Sequence, residues 1–88
     1  MDNKFQTHYL EVKQVFQKMA ERISSAEFNE TIETSTLCLK VMHKGALLEY
    51  FYIKGNLQVY RYINEDNLTS LSSIPEQLER MILSDIEL

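Results

Sequence analysis

The stretch IETSTLCLKVMHKGALLEYFYIKGNLQVYRYI, residues 32–63, decides the fold. It holds three runs rich in β-branched and aromatic residues, about Ile32 to Met42, Leu47 to Ile53 and Leu57 to Ile63, and these read as strands. The only two glycines of the chain fall between the runs, in Lys44-Gly45 and Gly55-Asn56. Both dipeptides suit two-residue hairpin turns, because glycine accepts the positive φ that such turns need. An antiparallel meander of three strands is the economical arrangement.

Fixing the turns fixes the registers. Across the first hairpin paired residue numbers sum to 89, and across the second to 111. One sheet face then collects Leu37, Leu39, Val41, Leu48, Tyr50, Tyr52, Leu57, Val59 and Ile63, with Arg61 as its one charge. The opposite face collects Thr36, Cys38, Lys40, Met42, Leu47, Glu49, Phe51, Ile53, Gln58, Tyr60 and Tyr62, and sets Lys40 across from Glu49, a favourable cross-strand pair. A slip of one residue in either hairpin would mix the two faces.

Outward from the meander, both flanks are helical. Phe5, Tyr9, Val12, Phe16, Met19 and Ile23 recur every three or four residues, one apolar stripe on a first helix of about 20 residues that ends near Ser24-Ser25. After Ile63, residues 64–67 read as a polar loop and residues 68–73 as an irregular connection. Ser73 then offers an N-cap, with Glu76 completing a capping box and Pro75 in the first turn, for a second helix running to about Asp85. Its stripe is Ile74, Leu78, Met81, Ile82 and Ile86. The expected architecture is a single α+β domain spanning residues 1–88, a two-layer sandwich in the order helix, three-stranded antiparallel meander, helix, with both helices on one sheet face.

Composition bounds what such a domain does. With 88 residues the chain affords one core and little material for an elaborate active site. Two Gly, one Pro and one Cys argue against a collagen-like, disordered or disulfide-stapled chain. The first 23 residues lack a continuous apolar run, so neither a signal peptide nor a membrane span is expected, and the unpaired Cys38 agrees with a cytoplasmic location. Residues 1–44 balance six basic against six acidic side chains, whereas residues 45–88 hold three basic and seven acidic ones. A protein relying on phosphate neutralisation clusters Lys and Arg, and the second half does the opposite.

Catalytic and metal chemistry find little footing. His8, Cys38 and His43 are the imidazole and thiol candidates; Cys38 and His43, five apart on a strand, point to opposite faces. The two histidines are expected at the surface and the thiol partly buried. Glu27, Glu30 and Glu33, like Glu65 and Asp66, fall in loop-like or edge stretches where water keeps their acidity ordinary. Two glycines ten residues apart, each committed to a turn, build no phosphate-cradling loop. No catalytic residue, cofactor or metal ligand is therefore assigned.

What remains is the face turned away from the helices, where Phe51, Tyr60, Tyr62, Ile53, Leu47 and Met42 stand together. Aromatic residues with a phenolic tip suit interfaces, since they bury large area while keeping a polar end satisfied. The expected function is a small non-catalytic, chaperone-, inhibitor- or adaptor-like module that binds a protein partner and self-associates, as a homodimer, through this face, through the heptad-spaced stripe of the first helix, or both. The alternative is a nucleic-acid-binding regulator that stacks bases on the same rings. A small enzyme ranks behind both.

Overall fold

A computed structural model describes residues 4–86. Within them the chain forms α1 (Lys4–Arg22), β1 (Ala26–Thr31), β2 (Thr36–His43), β3 (Ala46–Ile53), β4 (Val59–Ile63), β5 (Asp66–Leu71) and α2 (Pro75–Asp85). The α+β class holds, but the sheet has five strands rather than three, all antiparallel, in the order β1-β2-β3-β4-β5. The expected first strand from Ile32 begins instead at Thr36, and residues 26–31 form a separate strand before it. The expected polar loop and irregular connection of residues 64–73 are mostly strand β5.

The central registers follow from the turns. Lys40 opposes Glu49, Leu37 opposes Tyr52, Leu48 opposes Ile63 and Phe51 opposes Tyr60. At the first turn Lys44 and Gly45 both have positive φ, 50° and 82°, as a type I′ hairpin requires. The second turn sits one residue earlier than expected. Asn56 N–H donates to the Ile53 carbonyl at 3.0 Å, placing Lys54 and Gly55 at its centre, with only Gly55 at positive φ, 89°. The ladder closes at Val59, so Leu57 leaves the core face expected for it and is 49% exposed. A third turn at Asn64-Glu65, φ 53° and 62°, leads into β5 past an irregularity in register opposite Arg61 and Ile63.

Both helices cover one face of the sheet. Tyr9, Val12, Phe16 and Met19 of α1 and Leu78 and Ile82 of α2 share a core with Leu37, Leu39, Val41, Leu48, Tyr50, Tyr52, Val59 and Leu71. Burial of such side chains contributes about 1.5–3 kcal/mol each. The N-terminal ends of the expected stripes lie outside this core, Phe5 and Ile74 being exposed, whereas the C-terminal ends Ile23 and Ile86 are buried in it. Nor does Ser73 cap α2. The N-cap is Ile74, without a side-chain cap, and the Ser73 hydroxyl donates to the Leu57 carbonyl at 2.9 Å, tying the helix entry to the second turn.

Candidate interaction surface

Strand alternation places the six residues read as a contact surface on the face away from the helices. Met42 and Leu47 are direct neighbours across β2 and β3, and Phe51 and Tyr60 across β3 and β4. Tyr62 lies opposite Glu49, and its ring meets that of Phe51 edge-on, centroids 5.7 Å apart and planes at 83°. That geometry matches the quadrupole preference of aromatic pairs. Met42 and Ile53 are 51% and 46% exposed, whereas Leu47, Phe51, Tyr60 and Tyr62 are half-buried by one another.

Phe51, Ile53, Tyr60 and Tyr62 line a shallow groove of ≈ 490 Å³ together with Thr36 and Leu68. Leu68, 56% exposed, escaped the sequence reading because β5 did; its signal is the run Leu68-Thr69-Ser70-Leu71 beyond the Asn64-Glu65 turn, in which Thr69 and Leu71 turn to the helices and Leu68 and Ser70 away. Residues 66–71 widen the sheet at its edge, so they do not fold over the rings. Along the next row Lys40 stands between Glu27 and Glu49, one cation between two carboxylates. The face thus carries its rings on β3 and β4, with Leu68 of β5 beside them, and a row of charges, Glu27, Lys40 and Glu49, across β1 to β3.

Cys38 also points to this face but is buried beneath its neighbours, and that burial pushes its thiol up to about 11. Such a thiol is a poor nucleophile at neutral pH. His8 is half-buried rather than a surface residue. Its Nε2 lies 3.1 Å from the Ser73 carbonyl, an acceptor only, so Nε2 donates, and its Nδ1 is hydrogen-bonded to the Tyr52 hydroxyl at 2.8 Å. This clamp joins α1, β3 and the entry to α2. His43 is half-buried on the helix-facing side, away from both.

Glu30 is not the water-exposed carboxylate of an edge loop. It accepts from Lys13 Nζ at 2.9 Å and from the Tyr9 hydroxyl, and these bonds, Lys13 first, hold its pKa below the usual carboxylate range. The Tyr9 hydroxyl is correspondingly pushed up to about 12, by burial and then by Glu30. At the far end, Asp85 accepts from Tyr50 Oη at 2.7 Å and Arg61 Nη1 at 2.8 Å. These groups tie helices to strands; none opens onto the aromatic groove.

Compared with protein-family models, with curated proteins and with solved structures, the chain matches none. Among the described residues no helix is long and apolar enough to cross a membrane.

Proposed function

We propose that the protein is a small, non-catalytic interaction module that docks a protein partner on the outer sheet face, with an apolar side chain of the partner seated between Phe51, Tyr60, Tyr62 and Leu68. The observation that carries this reading is the groove itself: an apolar hollow lined by three rings on a sheet whose opposite face already supplies the core. Rigid aromatic side chains lose little conformational freedom on binding, which is why they anchor interfaces. The stripe of α1 has no part in docking, because Tyr9, Val12, Phe16 and Met19 are spent on the core.

The charge pattern favours a protein over a nucleic acid. Bases stacked on these rings would set their phosphates near Glu27 and Glu49, with Lys40 already between them. The working location of the module is the cytoplasm.

The test is capture of partners from the native cell after nuclease treatment, with the wild-type chain beside Phe51→Ala/Tyr60→Ala. Both positions are only half-buried, so the circular-dichroism spectrum is expected to stay unchanged while capture falls at least tenfold. Equal capture by the double variant contradicts the assignment of the groove. Loss of all capture on nuclease treatment transfers the face to the nucleic-acid reading.

A further inference from the structure

The edge formed by β5 has a property that the aromatic groove does not require: its hydrogen-bonding groups and side chains are complementary to a second copy of themselves. Asn64 N–H donates to the Leu47 carbonyl at 2.8 Å, so the even-numbered residues at the end of β4 bond toward β3 and the odd-numbered ones toward β5. Thr69 and Leu71, opposite Arg61 and Val59, therefore turn their backbone groups inward to β4. Leu68 and Ser70 turn theirs outward, and among the described residues no strand lies beyond β5.

We propose that β5 pairs antiparallel with β5 of a second copy, about a twofold axis through Thr69 and normal to the sheet. In this register Leu68 of each copy opposes Ser70 of the other, and each of these pairs exchanges two main-chain hydrogen bonds. Thr69 meets Thr69 of the second copy as the intervening non-hydrogen-bonded pair, where side chains approach closest and Thr–Thr pairing is favourable. Leu68 and Ser70 share the outer face, so this axis joins two five-stranded sheets into one of ten strands with both grooves on the same side.

Charge supports a second copy as the occupant. Leu68-Thr69-Ser70-Leu71 carries no charge, and the irregularity in register falls at the start of the strand, between Asp66 and Thr69, where Asn67 has φ 54°. The acidic residue of β5, Asp66, lies on the far side of that irregularity, outside the paired stretch. From Leu68 to Leu71 the edge has no charge, proline or covering helix, and the bulge of β5 lies at the start of the strand, beside Asn67. The other edge, β1, carries Glu27 and Glu30 in six residues and lies against α1.

Sedimentation equilibrium of the full chain across a dilution series tests the pairing. The wild type is expected at twice 10.4 kDa. Ser70→Pro, which removes only an outward-facing N–H, is expected to be a monomer with an unchanged circular-dichroism spectrum. Thr69→Lys and Thr69→Glu, each facing its own charge across the axis, are expected to be monomers alone and to form a one-to-one heterodimer when mixed. A wild type that is monomeric at every concentration, variants that remain dimers, or a mixture that stays monomeric overturns the proposal. Phe51→Ala/Tyr60→Ala is expected to stay dimeric, so failure of the edge and failure of the groove are read separately.

Discussion

Arg61 points from β4 into the helical layer, a costly place for a charge, and is held there by Asp85 at the end of α2. The same carboxylate accepts from Tyr50, whose ring is fully buried and whose hydroxyl burial keeps strongly protonated, with the bond to Asp85 adding to the effect. Removing the acceptor strands a cation and a hydroxyl together. Asp85→Ala is expected to cost about 2–3 kcal/mol, and Tyr50→Phe only about 1, measured as shifts in urea-unfolding free energy. Glu30 makes stability depend on pH. Its acidity is strengthened in the fold, so its contribution is full above the ordinary carboxylate range and disappears as pH falls through the lower folded value. The stability advantage of wild type over Glu30→Gln is expected at pH 7 and absent in strongly acid solution. Cys38, with its thiol raised to about 11, is expected to resist a thiol reagent at pH 8 until urea exposes it.

At the scale of elements, the strands buried on one face were legible and the edge strands were not. β2, β3 and β4 alternate apolar and polar residues strongly enough that two glycine turns set their pairing to the residue. β1 and β5 contribute few apolar side chains, since an edge strand has less core to face. Ala26–Thr31 reads as acidic and polar, and in Asp66–Leu71 only the last residue is buried. The Asn64-Glu65 turn went unread because it contains no glycine, although asparagine tolerates positive φ. The outward position of the six residues of the central strands was legible, and Leu68 was lost with its strand. Gly45 gives a direct check on the turn chemistry. Its φ is 82° with open space around it, so Gly45→Ala carries strain alone and is expected to lower stability by about 1 kcal/mol.

For the whole molecule, the added strands explain how a long first helix is accommodated. Five strands span about 19 Å between outer axes, and α1 runs about 28 Å, so most of its apolar stripe finds sheet or α2 beneath it. With both helices on one side, the outer face stays open, and its rings are grouped on β3 and β4 with Leu68 of β5 beside them. The account stands on that face being the docking surface. A photo-crosslinking residue placed at Tyr60, and separately at the exposed Gln17 on α1, tests this in the native cell. The account predicts a protein adduct, other than two copies of the chain, from position 60 and none from position 17. An adduct from position 17 with none from position 60 would contradict it.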